Sequence, residues 1–270
     1  MQIEDFSAKH LSTDSMSELA DLKNQFGLQY LDTVKHVKSE GDCNYYELVR
    51  KDKLFYTYKL NNVNFRGNNW DTTSTRSKIG FFGCSFTFGE FVDQYEIFPT
   101  IVANKLNFNG FNFGVPGSSI QRVCRSFSAA SRCFDFEYAV VVLPDWNRIH
   151  YLNDDIHGAR YLDISAHSPN FPTKVQQDFK SYIRLGNDQA LKRTIDSVDW
   201  ILDIARISNT KVILSSWSEL TYNALSQLYP DYTIGCFPII DTVIDNDHPD
   251  EQSHKEFARM IVNRINKLSV

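Results

Sequence analysis

No apolar run in the 270-residue chain approaches the roughly 20 residues of a membrane-spanning helix, so no membrane partner is expected. No basic stripe stands out, and the formal net charge is −5, which leaves nucleic-acid binding with little support. The five cysteines (Cys43, Cys84, Cys124, Cys133 and Cys236) are an odd number with no CxxC pair, as suits reduced thiols in a cytosolic compartment. Residues 1–19 are polar and acidic, without the basic start and apolar core of a secretory signal. A cytoplasmic location is therefore expected. Repeats and low-complexity tracts are absent. Aromatics are plentiful at 14%, with 20 Phe and 13 Tyr in a chain that is 42% hydrophobic. That allows a large core and leaves rings to line a surface site.

The chain reads as two parts, an N-terminal extension over 1–77 and a main domain over 78–270. Residues 45–60 are aromatic and apolar on both sides of Lys51-Asp52-Lys53, which predicts an antiparallel hairpin. Residues 61–77 turn polar and read as a linker or extended arm. From Lys78 onward strand-like and helical runs alternate. Strands are expected over 79–82, 111–114, 138–143, 211–214 and 237–240. Helices are expected over 95–106, 118–133, 190–207, 220–228 and 251–268. Continuous apolar strands alternating with helices predict an α/β fold, three layers α/β/α around a parallel sheet. Residues 149–188 break the alternation and read as an insertion at the functional edge. Its histidines, His150, His157 and His167, are spaced by seven and ten and match no compact metal-ligand motif. No metal and no cofactor is expected.

Ligands of such sheets sit at the carboxyl ends of the strands. Ser85 follows the first strand of the main domain, in Gly83-Cys84-Ser85-Phe86-Thr87-Phe88-Gly89. A serine there is a candidate nucleophile once a base, an orienting acid and an oxyanion hole are found. His248 can take the serine proton near neutral pH, and an acid three residues earlier, Asp245, can hold its tautomer. Asp247 and Asp250 compete for that second role. The same segment also reads as a solvated acidic loop ahead of a helix. Gly117, in Val115-Pro116-Gly117-Ser118, offers a backbone N–H at a helix start, and Asn147 offers a side-chain amide; both are donors an oxyanion needs. Cys84 reads as a small buried neighbour rather than a second nucleophile.

Gly83-Cys84-Ser85-Phe86-Thr87-Phe88-Gly89 resembles the GDSxTxG block of the SGNH/GDSL hydrolases. Asn112-Phe113-Gly114-Val115-Pro116-Gly117-Ser118 resembles their second block. Asp245-x-x-His248-Pro249, followed by His254 and Ala258, resembles their DxxHPxxxGHxxxA block with Ser253 in place of the glycine. The resemblance covers Lys78 to the C-terminus and extends in wording to SGNH-like proteins of phages and marine bacteria, so a phage-encoded form would be virion-associated. Cys84 stands in place of the usual aspartate, and Arg148 follows Asn147 where the third block reads GxND. The resemblance implies a flavodoxin-like sheet with Ser85 as nucleophile, His248 as general base and Asp245 as its orienter. Gly117, Asn147 and the Ser85 backbone N–H would form the oxyanion hole. The implied activity is a serine esterase acting through an acyl-enzyme on a small-molecule or carbohydrate ester, O-acetyl groups among them. Two alternatives stay open: an SGNH-fold binding or structural protein with weak or lost catalysis, and an O-acyltransferase. Oligomeric state has no signal in the sequence.

Overall fold

The computed structural model describes residues 34–40, 43–49, 55–61, 65–71, 73–153, 160–164, 177, 187–243 and 245–269. Three strands come first: β1 (Val34–Glu40), β2 (Cys43–Val49) and β3 (Phe55–Leu60). They form an antiparallel sheet in that order. The hairpin expected around Lys51-Asp52-Lys53 is the β2–β3 pair, with Asn44 opposite Leu60 and Val49 opposite Phe55. The strand β1 beside it was not anticipated, because its run Val-Lys-His-Val-Lys-Ser-Glu carries few apolar side chains.

The main sheet is built from β4 (Lys78–Gly83), β5 (Asn109–Gly114), β6 (Tyr138–Leu143) and, after an antiparallel pair β7 (Ile149–Asn153) and β8 (Arg160–Ile164), β9 (Lys211–Ser216). Its order is β5-β4-β6-β9 and every pairing is parallel. This is the flavodoxin-like arrangement, in which the strand order reverses between the first and third strands, here β4 and β6. The helices are α1 (Ser85–Phe88), α2 (Phe98–Leu106), α3 (Ile120–Cys133), α4 (Asn187–Ile207), α5 (Glu219–Leu228) and α6 (Glu251–Leu268).

Strand alternation explains the three layers. Phe82, Val141 and Leu214 point to one face, where they pack with Val123 and Phe127 of α3 and Val198 and Ile201 of α4. Phe81, Val140, Val142 and Ile213 point to the other, against Phe98 and Val102 of α2 and Phe257 and Ile261 of α6. Both faces are buried, so the strands need apolar side chains at every position rather than every second one.

Two expectations are corrected. Residues 237–240 form no strand. The chain instead runs beside β9 one step earlier, through Leu214 N–H to Tyr232 O (2.8 Å), Ile234 N–H to Leu214 O (3.2 Å) and Phe237 N–H to Ser216 O (2.8 Å). Gly235, with φ of 129°, interrupts a regular ladder there, and Ile239 and Ile240 end up exposed. Helix α2 begins at Phe98 rather than Tyr95, because Pro99 favours the first turn.

The segment 61–77 that reads as a linker is packed where it is described. Phe65 and Trp70 stack at 5.3 Å and meet the Phe113 ring at 5.3 and 4.8 Å. The Arg66 guanidinium is buried and donates to the carbonyls of Phe88, Gly89 and Val92. Tyr58 of β3 lies edge-on to Phe88, and its hydroxyl accepts from Phe91 N–H at 2.9 Å. The extension is thereby fastened to the turn that carries Ser85. Among the described residues, no helix is long and apolar enough to cross a membrane.

Candidate active site

Ser85 is the first residue of α1, the single turn that leaves β4. Three close contacts build that turn. Asn112 in β5 donates its side-chain N–H to Thr87 O at 3.0 Å and accepts from Gly114 N–H at 2.8 Å. Gly114 lies so close to the turn that a Cβ there would come within 2.3 Å of Phe88 N. Arg66 gathers the carbonyls at the turn's end. An amide inside the aromatic strand Asn-Gly-Phe-Asn-Phe-Gly was the available signal for Asn112, since a buried amide needs partners.

Ser85 itself is buried at 3% exposure, with Phe86 and Cys84 buried on either side. Its hydroxyl makes one hydrogen bond among the described residues, a long one of 4.0 Å to Cys84 Sγ. Phe86 stacks on Trp217 at 5.0 Å, lies edge-on to Phe237 at 5.5 Å and faces the His248 ring at 5.7 Å. An apolar wall therefore stands beside the serine, and His248 is part of it.

The histidine and its acid are brought together. His248 Nδ1 lies 2.6 Å from Asp245 Oδ2, and the Asp245 side chain is fully buried. Asp245 Oδ1 accepts the backbone N–H groups of Asp247 and His248, both at 3.0 Å. The loop closes through Val243 N–H to His248 O and Asn246 N–H to Val243 O, each 2.9 Å. Of the three aspartates considered, Asp245 is the partner. Asp250 instead caps α6, accepting from Ser253 N–H at 2.9 Å. Burial works to raise the Asp245 carboxyl, but the hydrogen bonds from His248 and Asp247 and the His248 charge pull it down to about 2. Burial works to lower the His248 imidazole. The bond to Asp245 and the charges of Glu90, Asp245 and Asp247 outweigh it and hold the imidazole above its ordinary value.

Ser85 and His248 are not hydrogen-bonded to each other. The second imidazole nitrogen, Nε2, faces Glu90 Oε2 at 3.3 Å. Glu90 directly follows the Ser85 motif, and its N–H donates to Ser85 O at 3.1 Å. Reading along the chain did not find Glu90, because its contact with His248 spans 158 positions and has no local signature.

Gly117 and Asn147 leave the same sheet edge, after β5 and β6, the hydrogen-bonded neighbours of β4. Gly117 sits in a left-handed turn at φ 76°, and among the described residues its N–H makes no hydrogen bond. Asn147 is held by its backbone: its N–H donates to Asp145 Oδ1 at 2.8 Å, and Ser218 Oγ donates to Asp145 Oδ2 at 2.9 Å. Asp145 is thus a loop-fixing acid, and the Asn147 side-chain amide is left half-buried without a hydrogen bond among the described residues. Arg148 lays its guanidinium over Trp217, 5.2 Å from the ring centre. Among the described residues no group of three or more His, Cys, Asp or Glu is gathered for a metal; His157 and His167 lie outside them.

No family model matches the chain, and no curated protein matches it. Solved structures of similar fold include a lipolytic protein of the G-D-S-L family from Desulfitobacterium hafniense (10% identity, 70% of this chain and 99% of that one, TM-score 0.45). The psychrotrophic esterase EstA from Pseudoalteromonas sp. is similar at 11% identity, over 71% and 98% of the two chains, with a TM-score of 0.45. A carbohydrate esterase family 2 enzyme with a carbohydrate-binding domain from Myceliophthora fergusii is similar at 15% identity, over 71% and 66%, with a TM-score of 0.46.

Proposed function

We propose that the protein is a serine hydrolase that cleaves a carboxylic ester through an acyl-enzyme. The observation that carries this reading is the buried Asp245–His248 pair at 2.6 Å, set against the turn that presents Ser85. Asp245 stays ionised across the working pH range and fixes Nδ1 as the protonated nitrogen, which leaves Nε2 to exchange protons. Ser85 Oγ attacks the ester carbonyl while Nε2 takes its proton. The carbonyl electron pair moves onto oxygen, which the N–H groups of Ser85 and Gly117 and the Asn147 amide receive. Collapse expels the alcohol, which leaves with the proton held on Nε2. Water then attacks the acyl-enzyme, Nε2 takes its proton and returns it to Ser85, and the acid departs. Ser85 and His248 come into contact on substrate binding, as such pairs tighten in the complex.

The wall of Phe86, Trp217 and Phe237 suits a short acyl chain such as acetyl, carried by a carbohydrate or other small alcohol. Hydrolysis of short p-nitrophenyl esters by the wild type and by Ser85→Ala tests the reading. Equal rates would reject it.

A second reading has its own support. Glu90 occupies Nε2, and among the described residues the Ser85 hydroxyl hydrogen-bonds only to Cys84 Sγ. A binding or structural protein on this fold would tolerate both features. Absence of ester hydrolysis together with retained ligand or glycan binding would favour it.

A further inference from the structure

We infer that Glu90 is a positioning residue that latches His248 at Nε2 in the resting site and yields that nitrogen to Ser85 when substrate binds. The inference rests on the serine-hydrolase reading and adds a residue and a step to it. His248 lies between two carboxylates: Asp245 on Nδ1 at 2.6 Å and Glu90 on Nε2 at 3.3 Å. A neutral imidazole has one N–H, so it can satisfy only one of them; the doubly protonated ring satisfies both. The His248 side chain is 17% exposed and the Glu90 side chain 14%, so water screens the second pair little.

The surroundings agree in sign. Asp245 and Asp247 face the ring from its own loop, and Glu90 faces it from the turn after α1. The rings of Phe86 and Phe91 cover it at 5.7 and 6.0 Å and bring no charge. From α6 comes His254, which burial keeps neutral; Arg66 of the extension stays charged while it donates to the carbonyls of Phe88, Gly89 and Val92, and its charge acts on His254. Three acids thus act on one imidazole.

Glu90 and Ser85 also belong to one structural unit, since Glu90 N–H donates to Ser85 O. In the proposed hand-over the imidazole turns about its Asp245 bond and Nε2 passes from Glu90 to Ser85. Latched, Nε2 carries a proton and cannot accept another from Ser85. Hydrolysis must then rise with pH as His248 loses that proton, with a midpoint above the usual histidine value.

The experiment is an NMR titration of the His248 imidazole in the wild type, Glu90→Gln and Glu90→Asp, beside the pH profile of p-nitrophenyl ester hydrolysis. Removing a carboxylate this close lowers the midpoint by about 1 pH unit or more in Glu90→Gln. Glu90→Asp, which keeps the charge, retains most of the elevation, and the hydrolysis limb moves with the titration. An unchanged midpoint in Glu90→Gln, or equal drops in both variants, overturns the latch. The titration needs no turnover, so the two claims separate. A lowered midpoint with hydrolysis indifferent to Ser85→Ala keeps the contact and rejects the hydrolase reading, and with it the hand-over to Ser85. Ser85-dependent hydrolysis with an unmoved midpoint does the reverse.

Discussion

Asp245 Oδ2 lies 2.6 Å from His248 Nδ1, and the carboxylate is wholly buried behind the ring. Replacing it by asparagine keeps the shape and removes the acceptor that fixes the tautomer. Asp245→Asn is expected to lower kcat on a p-nitrophenyl ester by on the order of 10²–10⁴-fold with KM little changed. Steady-state kinetics beside a circular-dichroism spectrum checks this; a loss under tenfold in a folded variant would remove Asp245 from the reaction.

Gly114 abuts the Ser85 turn, with Phe88 N at 2.3 Å and Thr87 C at 2.6 Å from where a Cβ would stand. Both are backbone atoms and cannot swing aside. Gly114→Ala is expected to cost roughly 1–3 kcal/mol in urea unfolding and to depress hydrolysis beyond that, because α1 must shift. Wild-type stability in this variant would contradict the close approach.

Arg66 ties the N-terminal extension to the Ser85 turn through the carbonyls of Phe88, Gly89 and Val92. Arg66→Met preserves bulk and strands those acceptors, each worth roughly 1–3 kcal/mol when left buried and unsatisfied. A lower urea midpoint and weaker hydrolysis are expected together. Loss of stability without any loss of activity would mean that the extension does not support the turn.

Two histidines give opposite pH dependences of stability. Burial pushes His254 down to about 3, with the charges of Arg66 and His248 adding to the effect. The unfolded chain therefore binds this proton first, and stability falls as pH drops below about 6.5. His248 is raised, so its contribution is present below that value and fades as pH climbs through the folded one. Thermal midpoints between pH 7.5 and 4.5 are expected to fall more steeply in the wild type than in His254→Gln. Parallel curves would show that His254 is not the group responsible.

The sheet was legible because Tyr138–Leu143 and Lys78–Gly83 are buried on both faces, which forces unbroken apolar runs. Helix α6 was legible from Glu251 to Leu268 through its spacing, whereas the role of Asp250 as its cap emerged only from the fold. The Asp245–His248 spacing was legible because a four-residue loop closes on itself. What escaped were long-range polar ties. Arg66 sits in a polar stretch, and only the fold brings the carbonyls of Phe88, Gly89 and Val92 to it. Glu90 and Asn112 act across elements in the same way. The misplaced last strand had the opposite cause: Phe237-Pro238-Ile239-Ile240 is apolar enough for a strand, but Gly235 breaks the regular ladder and the last backbone bond to β9 is made at Phe237.

Labelling with a fluorophosphonate probe tests the central claim most directly, because the probe traps a serine that a histidine has activated. The expected result is one covalent adduct, found on Ser85 by peptide mass spectrometry, absent in Ser85→Ala and strongly reduced in His248→Ala. No adduct, or an adduct on another residue with Ser85 untouched, would contradict the assignment of Ser85 as a nucleophile served by His248.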